Sequence, residues 1–452
     1  MRQARNVISS VFLQLLRINY REINHRSNPK GLKIHLQLLF LSVFIFIPGQ
    51  HVKAQTVGPP VRTLGYYLGA AYASSPLLAD NGNQLRSARL DSARIRAGQR
   101  PLLTGNSQVQ YAPSIGQFGY DQAISNGGTY LATVSASQNI FNRASMNARL
   151  QSVLIHQDSI SNNSRLTKAD LKKTITSGYI IAYSDLQQLT FQQRLFALLN
   201  QQEEYLKKLV RAGTYKQSDY LTFLVSRQAQ EVAVIEIQNT YHNDLATLNQ
   251  ASGLIDTLTV RLEDPALTEA VLLPVNELPG YQKFRIDSLQ IRNQRSLLAV
   301  SYRPKLNWFA DAGTEASRPG MLYRSFGTSV GLNFTVPIYD GHQRRLLSRQ
   351  LDFQEQTRKS YQHYFSAQYK GQVLAVKKQL SDIQLLLDRI SNQQRYAQML
   401  IDIDQKLLNS GDLKINDFLL AVSSYRNIQF SQTQQQINRM LLINQLNFWS
   451  AN

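Results

Sequence analysis

The sequence has no cysteine. That excludes a disulfide scaffold, a thiolate zinc site, a cysteine nucleophile and a lipid-anchored N-terminal cysteine. Histidine is scarce, with seven in 452 residues. Beyond residue 54 only His156, His242, His342 and His363 remain, and none forms an HExxH or an i,i+4 pair. No metal and no cofactor is therefore expected. Long hydrophobic runs are missing as well. The longest spans about a dozen residues, against the ~20 that a membrane-crossing helix needs, so a polytopic helical membrane protein is excluded.

The formal net charge is +19. Residues 1–54 carry eight basic side chains and one acid, so seven of those charges belong to that stretch alone. The rest are dispersed, with no Lys/Arg block of the kind that tracks a phosphate backbone, and no nucleic-acid partner is expected. Residues 1–54 read as a secretory signal peptide with a basic lead. Lys30 and Lys33 precede an apolar stretch from Leu36 to Ile47, Pro48-Gly49 follow, and Val52-Lys53-Ala54 is a small-x-small cleavage pattern.

Proline is confined. All 13 lie at or before Pro113, between Pro265 and Pro319, or at Pro337. Proline inside a helix costs about 3 kcal/mol, so the proline-free spans 114–264 and 338–452 are where long helices fit. Their apolar spacing is heptad-like: Ile175, Tyr179, Ala182, Leu186 and Leu189 in the first, and Val373, Val376, Leu380, Ile383, Leu387 and Ile390 in the second. Before each span lie two strand candidates. The first pair is Leu103 to Tyr111 with Thr133 to Phe141, and the second is Lys305 to Gly313 with Leu332 to Tyr339. Turn residues lie between them, including Gly116, Asn126 and Gly127 in the first pair. Four strands cannot close a barrel alone, because about eight are needed.

The two halves repeat. Ile140-Phe141-Asn142 matches Ile338-Tyr339-Asp340, Gly213 matches Gly411, Lys216 matches Lys414, Asp219 matches Asp417 and Leu221 matches Leu419, all at an offset of 198. From strand end to glycine is 73 residues in both halves, roughly 110 Å of helix at about 1.5 Å per residue. Both helices are then expected to reverse at the same depth, at Gly213 and Gly411. The domain reading is residues 1–54 signal peptide, 55–253 first repeat (hairpin about 103–141, helices about 142–250), 254–283 linker, and 284–452 second repeat (hairpin about 305–339, helices about 340–450). A rod of that length with strand pairs at one end suits a tunnel crossing the periplasm.

These residues resemble the TolC-like outer membrane efflux proteins, from about Thr63 to Ala451. The motifs are Ala73 to Leu78, Arg211-Ala212-Gly213 through Asp219-Tyr220-Leu221, Ser410-Gly411 through Asp417-Phe418-Leu419, and Leu442 to Asn447. The resemblance implies a mainly α fold with a small β part. Long coiled-coil helices would form an α-barrel, and two β-hairpins per chain would enter the 12-stranded outer-membrane β-barrel of a homotrimer. It implies a passive exit duct of a tripartite efflux pump or a type I secretion system, set in outer-membrane lipid. A periplasmic adaptor protein and an inner-membrane transporter would be its partners, and it would have no catalytic residues. Asp417, Asp219, Leu420 and Lys414 are the gate candidates it implies. Arg211, Gly213, Thr214, Gly411 and Asp412 are the implied adaptor-docking tips. The family's usual second gate aspartate is Leu420 here, and a basic position is Leu413 with Lys414 next. Alternatives stand beside these roles: Asp417 and Asp219 as ordinary first-turn acids, and the glycines as simple turn residues. Trp308, Tyr130, Tyr323 and Tyr339 fit either an interfacial girdle or cross-strand packing. Asp402 and Asp404, two apart, point to different helix faces. The rival reading of the whole chain is an exported coiled-coil rod or adhesin with a β head and no lumen.

Overall fold

The computed structural model describes residues 60–450 apart from 114, 116, 117, 120–127, 141, 142, 257 and 259. The signal-peptide reading lies outside the described residues, as do the repeat and turn positions Phe141, Asn142, Gly116, Asn126 and Gly127.

The chain runs β1 (Val61–Arg62), α1 (Leu64–Ser74), α2 (Pro76–Ala97), β2 (Leu102–Tyr111), β3 (Gly128–Asn139), α3 (Arg143–Arg211), α4 (Gln217–Ala251), β4 (Arg261–Leu262), α5 (Pro279–Ser301), β5 (Lys305–Ala316), β6 (Phe326–Thr335), α6 (Gln343–Ser410) and α7 (Ile415–Asn447). The two longest helices have 69 and 68 residues, roughly 100 Å each. Their seams follow the heptads: Ile175, Tyr179, Ala182, Val376, Leu380 and Ile390 are buried. The return helices α4 and α7 are half as long, 35 and 33 residues. Beyond their ends the shorter α2 packs on α3, and α5 packs on both α3 and α6. No helix among the described residues is long and apolar enough to cross a membrane.

The sequence reading did not assign α5, and it located α1 and α2 only through the Ala73 to Leu78 motif. Pro76 and Pro279 stand in the first turn of α2 and α5, where the missing N–H costs nothing. Ser75 ends α1 and caps α2, accepting from the Leu78 N–H.

Four strands form one antiparallel sheet in the order β2-β3-β5-β6. The strand expected at Leu332 to Tyr339 is shifted. β6 covers Phe326–Thr335, and Pro337, lacking an N–H, lies beyond its end. The register sorts the residues onto two faces. Leu306 pairs with Phe334, Trp308 with Leu332, Ala310 with Val330, and Val134 with Ala312. That face is apolar, and Val134, Val330, Leu332 and Phe334 are all exposed. The opposite face carries Asn106, Thr133, Ser135, Asp311, Glu315, Ser329 and Asn333. Gly331 leaves room there for the Phe309 ring, which a Cβ would meet at 2.4 Å. Strands β2 and β6 each have one neighbour, so both edges of the sheet are open. Tyr130 and Trp308 lie on the apolar face near opposite ends of it. Tyr323 and Tyr339 are exposed, one in the β5–β6 connection and one after β6.

Midway along α3 a belt gathers distant segments. β1 and β4 pair in parallel, and Arg62 forms an ion pair with Asp256. The Tyr179 hydroxyl lies 2.6 Å from the Glu263 carbonyl and 3.0 Å from that of Arg62. In α7, Asn444 donates to the Lys173 carbonyl at 2.8 Å, and Asn447 donates to that of Thr268 at 2.8 Å.

Candidate functional site

Opposite the sheet, both long helices stop and reverse. Gly213 has φ +79° and Gly411 has φ +86°, left-handed values that favour glycine. The turns repeat bond for bond. Thr214 N–H donates to Leu209 C=O at 2.9 Å, and Asp412 N–H to Leu407 C=O at 2.9 Å. Gly213 N–H donates to Val210 C=O at 3.0 Å, and Gly411 N–H to Leu408 C=O at 3.2 Å. This paired pattern satisfies the last carbonyls of a helix that ends in a left-handed residue.

The next helices start alike. Lys216 and Lys414 are the N-cap residues, and neither side chain caps. Asp219 and Asp417 stand in the first turns, where negative charge complements the helix dipole. Asp219 is half-buried, and Asp417, Lys414 and Leu420 are exposed. Arg211, Gly213, Thr214 and Asp412 are exposed too, while Gly411 is half-buried. The Asp412 carboxylate accepts from Ser410 Oγ at 2.6 Å.

The two tips touch. A Cβ on Gly411 would stand 2.7 Å from the Thr214 methyl. The Tyr215 hydroxyl lies 2.6 Å from the Leu413 carbonyl and 3.3 Å from that of Leu408. One shared core lies behind them. Leu195, Leu199, Leu206 and Phe223 of the first helix pair meet Ile401, Leu408, Ile415 and Phe418 of the second. Further from the tips the two pairs part around a cavity of about 980 Å³ lined by glutamines, Arg194, Asp402 and Arg439.

No protein-family model and no curated protein matches the chain. Solved structures do. CusC, described with the conformational changes that accompany its folding and transmembrane channel formation, superposes with a TM-score of 0.70. That match covers 90 % of this chain and 97 % of CusC at 14 % identity. The CmeC outer membrane channel of Campylobacter jejuni gives a TM-score of 0.69 over 85 % of each chain at 10 % identity. The open MtrE outer membrane channel of Neisseria gonorrhoeae gives 0.66 over 85 % of this chain and 88 % of that one, at 15 % identity. The fold is that of the TolC-like outer membrane channels.

Within this TolC-like frame the two tips are not chemically equal. In the first pair Glu203 lies 2.9 Å from Lys207 Nζ and 3.2 Å from Arg227 Nε, and it accepts from the Tyr220 hydroxyl at 3.2 Å. Burial alone would raise the Glu203 carboxyl. The hydrogen bond from Lys207 and the charges of Lys207 and Arg227 outweigh it and hold the carboxyl below the usual range. The same four positions, shifted by 198, are Ile401, Gln405, Tyr425 and Phe418, with no charge among them. Conversely, the buried Leu206 of the first repeat corresponds to Asp404, which is 7 % exposed. Burial, and then the charge of Asp417, push the Asp404 carboxyl up. Asp402 is exposed, so the two acids do face differently.

The sequence reading singled out neither Tyr215 nor Glu203, and it rejected Asp404 only as a catalytic partner of Asp402. The signal for Asp404 was available: the offset of 198 places a carboxyl where the first repeat buries a leucine.

Proposed function

We propose that this chain is the outer-membrane exit duct of an efflux system. The observation that carries the reading is the four-stranded sheet, apolar on one face, polar on the other, and open at both edges. An exposed apolar face belongs against lipid, and a polar one against water in a lumen. Open edges ask for other copies of the same sheet. Three chains supply 12 strands, enough for a closed barrel, with the long helices continuing it across the periplasm. The rival reading, a rod without a lumen, gives no reason for a sheet with two such faces.

In this reading cargo passes down a pressure or concentration gradient set by others. An inner-membrane transporter supplies the energy, and a periplasmic adaptor docks on the exposed tip residues Arg211, Gly213, Thr214, Gly411 and Asp412. The periplasmic entrance closes where the tips converge. Asp417, with Asp219, Lys414 and Leu420, lines that closure, and the three Asp417 carboxylates of a trimer attract cations and repel anions there. The second helix pair is the one that moves, because it lacks the Glu203 ion network and buries an unfavourable acid instead.

Single-channel recording of the detergent-purified protein in a planar bilayer tests the reading. Small, long-lived conductance steps are expected without pump or adaptor. Wide-open conductance from protein shown to be inserted contradicts a tip-sealed duct, and complete silence leaves the rod without a lumen standing beside a fully sealed gate.

A further inference from the structure

A second cavity, of about 990 Å³, lies at the other end of the long helices, where they meet the sheet. Two chain stretches build it: β3 leading into α3, and α5 leading into β5. Arg143, Arg149, Arg303 and Lys305 line it, all of them exposed, and among the described residues no Asp or Glu does. Tyr302, between two lining residues, holds Asp340 outside the lining, and that carboxylate also accepts from the Arg344 N–H at 2.8 Å. The apolar part of the lining is Ile140, Leu297, Val300 and Pro304. Ile140 N–H donates to the Leu306 carbonyl at 2.8 Å, so the ladder runs on to Ile140. Alternation from Gln138, the partner of Trp308, puts its exposed side chain on the apolar face of the sheet. The cavity therefore reaches that face, while Lys305 enters it from the polar side.

Its height is marked by Trp308. That residue lies on the apolar face, and its indole N–H donates to Gln138 Oε1 at 3.2 Å. A tryptophan with its ring on an apolar face and its N–H on a polar group belongs at the level of lipid headgroups. Lys305 lies roughly 10 Å along the strand from it. In the other direction, from Trp308 to Ala316, the partner of Tyr130, the strand runs roughly 27 Å, on the order of the apolar band of an outer-membrane barrel. β3 and β5 are the inner strands of the sheet, so copies that join at the β2 and β6 edges leave this junction uncovered by their strands. A basic pocket at headgroup level selects an anionic lipid. Its lining offers no carboxylate to the ammonium or choline of a zwitterionic one, and its apolar part suits glycerol and the first acyl carbons. We propose that this junction binds the phosphodiester headgroup of an anionic glycerophospholipid in the periplasmic leaflet. The proposal rests on the duct reading, which makes the apolar face the lipid face. A lipid held there fixes the depth at which the duct sits in the membrane.

The chain has two tryptophans, Trp308 and Trp449. A Trp449→Phe background therefore leaves Trp308, near the cavity, as the sole tryptophan. The full-length protein is reconstituted in phosphatidylcholine vesicles, and a rising fraction of the lipid is replaced by brominated phosphatidylglycerol or by brominated phosphatidylcholine. Bromine quenches the indole on contact, so the two curves give the relative affinity of each lipid beside Trp308. A preference of at least about threefold for phosphatidylglycerol is expected. It should fall towards parity at about 1 M salt and in Arg143→Gln/Arg149→Gln/Arg303→Gln. Lys168→Gln, which removes a charge on the belt instead, should keep it. Glycerol phosphate, which has the headgroup chemistry without the acyl chains, should not displace the lipid in excess. Parity in the native sequence, a preference indifferent to salt or to the triple variant, its loss in Lys168→Gln, or displacement by glycerol phosphate overturns the proposal. The salt series needs no variant, so a triple variant that fails to insert does not decide the matter. Conductance recorded on the same preparation keeps the two readings apart, since a conducting protein without lipid preference retains the duct and loses only the site.

Discussion

Tyr215 donates its hydroxyl hydrogen to the carbonyl oxygen of Leu413, 2.6 Å away, and the two residues occupy the same position in the two repeats, 198 apart. The contact joins the first tip to the second through a side chain that only one repeat possesses. Leucine at 413 cannot return the bond. Among the described residues the latch runs in one direction only, and its loss leaves the shared apolar core between the tips.

Gly411 meets two constraints at once. Its φ of +86° disfavours any side chain, at about 1 to 2 kcal/mol, and a Cβ would also press on the Thr214 methyl. Gly213 has a similar φ but nothing within 4 Å of such a Cβ. Gly411→Ala is thus expected to lower the thermal midpoint more than Gly213→Ala. Adding Thr214→Ser, which removes the methyl, should recover part of the difference. Equal losses from the two alanines would show that the tips do not touch as described.

Asp404→Leu places at 404 what the first repeat has at Leu206. It removes a buried carboxyl that burial first, and then the charge of Asp417, push above the usual carboxylate range. A stabilisation on the order of 1 kcal/mol is expected, seen as a higher midpoint and a longer closed time in bilayer records. Destabilisation would mean that Asp404 has a polar partner in the assembly.

Asp185 supplies the pH dependence. Burial first, and then the neighbouring Asp244, push its carboxyl up to about 7, against about 3.9 for an unfolded aspartate. Between those values the folded chain holds more protons than the unfolded one, so stability falls as pH rises. The contribution is fully present below about pH 4 and is lost as pH climbs through about 7. Melting curves across that window should slope downward for the native sequence and flatten in Asp185→Asn. A native profile that rises with pH over the same range would remove this residue from the account.

The sheet gives a paired test on adjacent residues. Leu332 lies on the apolar face and Asn333 on the polar one. Leu332→Arg is expected to cost about 2 to 4 kcal/mol near mid-membrane and to reduce assembly in outer-membrane fractions. Asn333→Arg should assemble and alter ion selectivity instead. The reverse ranking would place lipid on the other face.

Much of this was legible in the residues. Absence of proline marked α3 and α6, because one proline would have broken either. The offset of 198 located both turns, because a left-handed reversal at equal depth needs glycine in each half. Tyr215 was not legible, since its partner is a backbone carbonyl and no side-chain pattern announces one. β6 was misplaced because Gly327 and Gly331 thin its pattern, while the apolar residues around Pro337 imitate a strand. The cavity at Arg143 was hidden because its two chain stretches are far apart in sequence and meet only when β3 pairs with β5.

The sealing of the tips is the centre of the account, and paired single-channel records of the native protein and Tyr215→Phe test it most directly. Removing one hydroxyl deletes the latch and leaves the shared apolar core in place, a loss of about 1 kcal/mol. The native protein should show small, long-lived steps, and Tyr215→Phe should show larger or more frequent openings, several-fold by that energy. Identical records from the two, with both shown to be inserted, would contradict the claim that this contact holds the entrance closed.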